Sequence, residues 1–325
     1  YPPGSTFKMV TALAALETGL VDYNETVYCP GFKEVSGRRF HCWKRGGHGN
    51  VDLHRSLRNS CDVYYYEMAM RVGIEGISAM AQRFGIGVQF DLPMTSVAEG
   101  LAPSRQWKLA YRGTPWMVGD SANTAIGQGF VLASPLQLAV MSARLATSRA
   151  VVPRLVKSID GVDQPTGHGD SLGLNENHLR EIRRAMFAVS NSPRGTAYRS
   201  RIAEDSLRLA GKTGTSQVRN ISTSEREGGV RSNSDLPRAQ RDHALFVSFA
   251  PHDAPRFALS VVVEHGGGGS TAAAPIARDI MLQALYGGDP PLSAYPASDR
   301  PRIRSLQEEL RRERERPATE TSDRA

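Results

Sequence analysis

Apolar residues at helical spacing dominate the first two thirds of the chain. Residues 6–19, TFKMVTALAALETG, show this spacing and end at a glycine, so they predict a helix. Further helices are predicted over residues 51–73, 74–84, 134–146, 175–190 and 272–286. The helix over residues 51–73 is expected to break into two pieces near residues 59–62. Residues 22–51 are rich in Gly and aromatic residues without periodicity, and we expect them to be irregular.

Strand patterns occur only in the last third. Residues 244–251 and 256–265 predict two strands joined by a short turn, and residues 207–218, LRLAGKTGTSQV, are short and β-like. The polar, charged residues 219–242 between these strands predict a mobile loop. Helices come first, then antiparallel strands, then a closing helix. This order predicts an α+β domain in which a helical lobe packs against an antiparallel sheet flanked by helices.

Composition limits the classes of function. The chain has 325 residues, and 40% of them are hydrophobic, which suffices for a sizeable core. Its net charge of +7 is the balance of 40 basic and 33 acidic residues spread along the chain, so no basic stripe for nucleic acid is predicted. The sequence contains no run of 18 apolar residues, so it predicts no membrane span within these residues.

The character of the sequence changes near its end. After Pro290 the chain is Pro-rich, and eleven of the seventeen residues 300–316 are Arg or Glu. We therefore expect a folded domain over residues 1–287 and a charged tail over residues 288–325. The tail is expected to be either disordered or a solvated helix.

The first candidate for chemistry is the pair Ser5 and Lys8 in YPPGSTFK. At the start of a helix these two side chains share a face, and the free N–H groups of the first turn favour negative charge. A lysine one turn from a serine can take its proton when the lysine is neutral. The S-x-x-K pattern alone is weak, because an ordinary helix start explains it equally well.

Two further short patterns follow in the chain. Ser60-Cys61-Asp62 stands at the expected break between helices, and Lys212-Thr213-Gly214-Thr215 stands on a predicted strand. A glycine in a strand lets another backbone lie close alongside, and lysine and threonine can hold a carboxylate. Each pattern alone is explained as well by a loop, but their joint occurrence in this order is much more specific.

This combination resembles the serine–lysine, S-D-N and K-T-G signature of penicillin-binding proteins and β-lactamases over about residues 1–287. The segments CWKRGGHG, RSLRNSCDVYYYEMA, AIGQGFVLASPLQLA and AGKTGTSQ are similar to class B penicillin-binding proteins of the elongation type, the penicillin-binding protein 2 group. The resemblance implies the penicillin-binding protein/serine β-lactamase-like transpeptidase fold. Asp62 stands where the usual motif has Asn, and this is characteristic of the elongation group.

The resemblance also implies the catalytic roles. Ser5 would attack the carbonyl between two D-alanines of a peptidoglycan stem peptide, with Lys8 as the base. Ser60 would relay the proton to the leaving D-Ala with help from Lys212, and Asp62 would orient this network. An amine of a second stem peptide would then resolve the acyl-enzyme, whereas β-lactams would leave it stalled.

Substrate binding is assigned in the same way. Thr213 and Thr215, with Gly214 between them, are expected to hold the terminal carboxylate. The backbone N–H groups of Ser5 and Thr215 would form the oxyanion hole. Gln128 in IGQGF is expected either to line the substrate groove or to belong to a turn. No cofactor is implied for catalysis.

The wider setting is likewise implied by the resemblance. It predicts a membrane glycosyltransferase and elongation-complex proteins as partners, no nucleic acid, and a location at the periplasmic face of the bacterial inner membrane. Because Ser5 lies so near the first residue, which is not Met, we expect a preceding segment with the membrane anchor, a pedestal and the first strands. The alternatives are a D,D-carboxypeptidase, a class D β-lactamase and a non-catalytic β-lactam sensor or scaffold.

The three cysteines raise a separate question. Cys29, Cys42 and Cys61 are clustered, and His48 lies among them, so together they predict a structural zinc site with looser spacing than a zinc finger. If Ser60 and Asp62 face the active site, Cys61 should face away. Some elongation-type relatives carry a metal-ligand set at matching positions, with Asp in place of some Cys. A disulfide plus a buried thiol, three free thiols, and His41 as an alternative ligand remain open.

Overall fold

Most helices of the described residues lie in the first two thirds of the chain, and the three longest strands lie after residue 209. Residues 1–164, 169–222, 225 and 228–315 are described by a computed structural model. The helices are α1 (Lys8–Glu17), α2 (Leu53–Arg58), α3 (Asp62–Arg83), α4 (Arg105–Arg112), α5 (Val118–Ala125), α6 (Pro135–Thr147), α7 (Glu176–Asn191), α8 (Ala274–Tyr286) and α9 (Arg300–Glu315). The strands are β1 (Val27–Cys29), β2 (Phe32–Val35), β3 (Arg38–His41), β4 (Gly49–Val51), β5 (Ser158–Ile159), β6 (Val162–Asp163), β7 (Ala210–Ser216), β8 (His243–Ala250) and β9 (Phe257–Val263).

The principal sheet has the antiparallel order β7-β8-β9, with β7 at one edge. Residues 244–250 of β8 are all buried, although successive side chains point to opposite faces. One face joins the core of the helical lobe, and the other joins a second core beneath α8. The segment ALFVSFA, apolar except for Ser248, is therefore the sequence of a strand covered on both faces, and the predicted α+β architecture is confirmed.

The helical lobe is centred on α1, whose residues 8–16 are all buried. This helix packs against α3 and α7, which explains why apolar residues surround it on every side. The predicted boundary between residues 51–73 and 74–84 is a break inside α3, where Gly73 adopts a φ of 72°. None of the helices in the described part of the chain has the length and apolarity that a membrane span requires.

One prediction about secondary structure was wrong, and two helices were not predicted. Residues 22–51 are not irregular, because β1 pairs with β4 and β2 pairs with β3 in two short antiparallel ladders. Helices α4 and α5 were also missed. Only Lys108 is buried in α4, while Leu109 and Tyr111 are largely exposed, so this helix has no apolar face toward the core for periodicity to reveal.

The charged C-terminal residues are helical where the structure describes them, because α9 extends to Glu315, so the disordered alternative is wrong for residues 300–315. Residues 316–325 lie outside the described part. Arg278 of α8 is fully buried and forms ion pairs with Asp279 at 2.8 Å and with Asp299 at 2.5 Å. This buried arginine fixes the start of α9 to the rest of the domain.

We predict that Asp299→Asn lowers the free energy of unfolding by about 2 kcal/mol, because it leaves the buried Arg278 guanidinium with one of its two carboxylate partners. Urea unfolding measures this loss. Asp289→Asn is the matched control, since Asp289 pairs at 3.5 Å with the largely exposed side chains of Arg311 and Arg314. Its expected loss is below about 1 kcal/mol, and equal losses in the two variants would contradict the role of Arg278.

Candidate active site

Ser5 lies in a short 3₁₀ turn, residues 4–7, that continues directly into α1. Gly4 begins this turn with a φ of 55°, and its amide donates to the carbonyl of Gly127 at 2.8 Å. A Cβ on Gly4 would lie 2.4 Å from the carbonyl oxygen of Thr215. The absence of a side chain at Gly4 therefore lets the serine turn press against the edge strand β7.

Lys8 lies in the first turn of α1 and is completely buried. Its ammonium donates to the carbonyl of Ser60 at 2.9 Å, to the Ser60 hydroxyl at 3.2 Å and to Oδ1 of Asp62 at 2.7 Å. These contacts use all three hydrogens of the ammonium. Lys8 must lose one of them before it can accept the proton of Ser5.

The second motif forms the connection between α2 and α3. Ser60 adopts a φ of 55°, which is uncommon for a residue with a side chain, and Asp62 begins α3. Cys61 between them is extended, so its side chain points away from those of its neighbours. As predicted from the sequence, Asp62 faces Lys8, while Cys61 faces the other two cysteines.

Lys212 reaches the same hydroxyl from the sheet. The β7–β8 register places Lys212 opposite Val247, on the face that meets the helical lobe. Its buried ammonium donates to Ser60 Oγ at 2.9 Å and to the carbonyl of Thr213 at 3.0 Å. The Ser60 hydroxyl thus lies between two lysines that come from opposite sides of the cleft.

Burial controls the ionisation of this cluster. It lowers the pKa of Lys212 well below the ordinary lysine value, and the nearby charge of Lys8 lowers it further. Burial also raises the pKa of Asp62, while the Lys8 ammonium opposes that change. The site therefore favours a neutral Lys212, whose amine lies within hydrogen-bonding distance of the Ser60 hydroxyl.

Three of the predicted substrate-binding residues, Thr213, Gly214 and Thr215, lie on β7, whose outer edge has no partner strand in the described sheet. Gln128 donates from Nε2 to the carbonyl of Thr215 at 2.9 Å. A Cβ on Gly214 would meet the Thr6 side chain at 2.8 Å, so this glycine also permits close packing. The structure thus brings Gln128, Gly214 and Thr215 to the Ser5 turn.

Thr213 makes a contact that the sequence did not indicate. Its hydroxyl is hydrogen-bonded at 2.8 Å to the hydroxyl of Thr196, in the segment that follows α7. Thr196 belongs to none of the three motifs, and only the packing of α7 on β7 brings it there. A short sequence pattern could not have identified it.

Cys29, Cys42, Cys61 and His48 converge on the other side of the second motif. Their ligand atoms all lie within 4.8 Å of one another, and no S–S bond joins the three cysteines. His48 Nδ1 is 3.7 Å from the sulfur of Cys29 and 3.5 Å from that of Cys42. Tetrahedral zinc bound to sulfur and nitrogen spaces its ligand atoms about 3.5–3.8 Å apart, so the two distances from His48 match a zinc site.

The electrostatics of the cluster also fit a cation. Hydrogen bonds with the Cys42 and Cys61 thiols lower the pKa of Cys29 to about 3, while contacts with Cys29 and Cys42 raise the pKa of Cys61. Three adjacent thiols cannot all ionise unless a positive charge compensates them. His41 is not part of the cluster.

The sequence matches the family described as "Penicillin binding protein transpeptidase domain" over residues 1–282. It is 36% identical over 282 residues to the peptidoglycan D,D-transpeptidase MrdA of Acinetobacter baumannii. This match covers 84% of the chain and 41% of that protein, so the chain spans less than half the length of this relative.

Solved structures with similar sequences share the fold. Penicillin-binding protein 2 (PBP2) of Pseudomonas aeruginosa, in complex with WCK 5153, is 35% identical with a TM-score of 0.76, and the match covers 88% of this chain and 61% of that one. Helicobacter pylori PBP2, in complex with MreC, is 34% identical with a TM-score of 0.76, covering 88% of this chain and 50% of that one. These matches confirm the predicted fold.

The lowered pKa of Lys212 predicts a dependence of stability on pH. Between the lowered pKa of the folded protein and the ordinary lysine pKa of about 10.4, Lys212 is protonated in the unfolded chain but neutral in the folded protein. Because the unfolded chain then binds more protons, the free energy of unfolding rises with pH across this range. Lys212→Met should flatten that rise, which denaturant unfolding at several pH values measures. The exposed Lys157 provides the control variant Lys157→Met, which should keep the wild-type slope. Equal slopes in wild type and Lys212→Met would refute the prediction.

Proposed function

The chain belongs to the penicillin-binding protein transpeptidase family, and on this premise we propose that it cross-links peptidoglycan stem peptides during cell-wall elongation. The observation that carries the proposal is the convergence of Lys8 and Lys212 on the Ser60 hydroxyl beside the Ser5 turn. The similarity of the chain to MrdA and PBP2 proteins supports the elongation role. The substrate is a stem peptide that ends in D-Ala-D-Ala, and β-lactams are its mimics.

Acylation uses the contacts of Lys8 and Ser60. Neutral Lys8 takes the proton of Ser5, and Ser5 Oγ bonds to the carbonyl carbon of the penultimate D-Ala. The C–N bond to the terminal D-Ala breaks as Ser60 gives its proton to the leaving nitrogen and regains one from Lys8. The backbone N–H groups of Ser5 and Thr215 stabilise the oxyanion, and Thr215 with Thr213 binds the terminal carboxylate.

Deacylation runs the same transfers in reverse. The amine of a second stem peptide attacks the ester carbon, a new C–N bond forms, and the C–Oγ bond to Ser5 breaks. The proton of the attacking amine returns through Ser60 and Lys8 to Ser5. A D,D-carboxypeptidase would use water in place of this amine, and analysis of cross-linked and trimmed products from peptidoglycan separates the two activities.

A non-catalytic sensor or scaffold is disfavoured by the buried charges. Two completely buried lysines within hydrogen-bonding distance of one hydroxyl are unfavourable for stability, and binding alone does not require them. Clusters of this kind are typical of sites that transfer protons. The arrangement therefore favours an acylating enzyme.

For partners and location, we propose that the protein acts with a membrane glycosyltransferase and other elongation proteins at the periplasmic face of the bacterial inner membrane. The complex of H. pylori PBP2 with MreC supports such partners. A periplasmic location agrees with the proposed substrate, because stem peptides are cross-linked outside the cytoplasm.

We also propose that Cys29, Cys42, Cys61 and His48 hold a structural zinc ion. The ion would supply the positive charge that three ionised thiols need, and it would hold β1, β3 and the second motif together. It has no part in acyl transfer. The fit of the ligand atoms to tetrahedral spacing supports zinc over a disulfide.

We predict that Ser5→Ala abolishes covalent labelling by a fluorescent penicillin, a loss of about 10³-fold or more in rate, because no other hydroxyl occupies the nucleophile position. Labelling followed on denaturing gels measures this. Ser305→Ala on α9 is the control and should label like wild type. Failure of the wild-type protein to label would defeat the proposed function.

We predict about one zinc ion per chain by elemental analysis, and less than half of that in Cys29→Ser, which should also unfold at a lower temperature because the ion contributes to folding. After chelation without reductant, an alkylating reagent should modify all three cysteines. Modification of only one cysteine would show a disulfide, and absence of stoichiometric metal would exclude zinc.

A further inference from the structure

Trp43 lies outside the three motifs but contacts both ends of the second one. It follows β3, and 62% of the residue is exposed. Its indole Nε1 donates to the carbonyl of Asn59 at 3.1 Å and to that of Ser60 at 3.0 Å. Its backbone N–H donates to Oδ2 of Asp62 at 2.8 Å. The exposed ring is therefore anchored to the catalytic turn through its polar edge rather than through burial.

The carbonyl of Ser60 is the point at which this contact acts. A carbonyl oxygen has two lone pairs, and here one accepts from Lys8 Nζ at 2.9 Å and the other from the Trp43 indole. Both bonds hold Ser60 in its left-handed conformation, which a residue with a side chain seldom adopts. That conformation directs the Ser60 hydroxyl between Lys8 and Lys212.

We propose that Trp43 is a positioning residue, whose indole N–H holds the Ser60 turn in the conformation that proton transfer needs. The proposal rests on the acyl-transfer function. Lys8 alone is a poor anchor for this carbonyl, because its contacts must change as it gains and loses a proton. The indole N–H does not titrate, so it can hold Ser60 throughout the reaction.

The role predicts a defect in the chemical step rather than in binding. Saturation kinetics with a fluorescent penicillin give the acylation rate constant and the dissociation constant of the preceding complex separately. In Trp43→Phe, which keeps an aromatic ring but lacks the N–H, the rate constant should fall about 10-fold or more, because small misplacements of catalytic groups are costly. The dissociation constant should stay within about twofold of wild type.

Trp116→Phe is the matched control, because it removes an indole N–H bond to Ser121 Oγ at 2.8 Å elsewhere in the helical lobe. This variant should acylate like wild type. If Trp43→Phe does not fold, β-(3-benzothienyl)alanine at position 43 replaces only the indole N–H by sulfur and should show the same slow acylation.

Three results would overturn the role of Trp43. They are a wild-type acylation rate in the Trp43 variants, a loss confined to the dissociation constant, and an equal loss of rate in Trp116→Phe. Each of these results is interpreted only when the wild-type protein is labelled by the fluorescent penicillin. Absence of labelling in wild type would instead refute the proposed function.

Discussion

The structure depends on one buried cluster of charges. Lys8, Asp62 and Lys212 are withdrawn from water around the hydroxyl of Ser60, where Lys8 pairs with Asp62 at 2.7 Å and Lys212 donates to Ser60 Oγ at 2.9 Å. Burial, and to a smaller extent the nearby charge of Lys8, lowers the pKa of Lys212 well below the ordinary lysine value. The fold itself therefore favours a neutral Lys212 beside the Ser60 hydroxyl.

The cluster imposes a constraint on the backbone around it. The helix that supplies Lys8 and the strand that supplies Lys212 must approach closely, and side chains at the contact would prevent this. Gly4 and Gly214 are therefore required where the serine turn meets β7. Gly127 likewise lets the segment before α6 approach the serine turn, since a Cβ at this position would lie 2.0 Å from the carbonyl oxygen of Gly4. These three glycines are as necessary to the site as its ionisable groups.

The sequence predicted the features whose signal is local or shared with a known family. The buried helix α1, the strands β8 and β9 and the grouping of Ser5, Ser60 and Lys212 are of this kind. Helix α4 and the β1–β4 ladder were missed, because the first buries no apolar stripe and each strand of the second has only three residues, too few to show alternation. Thr196 could not have been predicted, since only tertiary packing brings it to Thr213. Trp43 stands in a recognisable segment, but its bond to Ser60 depends on a backbone conformation that sequence does not display.

The second motif joins the cysteine cluster to the catalytic charges. Because Cys61 is extended, its sulfur faces Cys29 and Cys42 while Asp62 faces Lys8. The amide of Asp62 also donates to the sulfur of Cys42 at 3.4 Å, and the residue after Cys42 donates its amide back to Asp62. Movement of the Cys42 backbone would therefore displace the carboxylate that orients Lys8. Through these two hydrogen bonds the residues of the cysteine cluster help to hold Asp62 in its contact with Lys8.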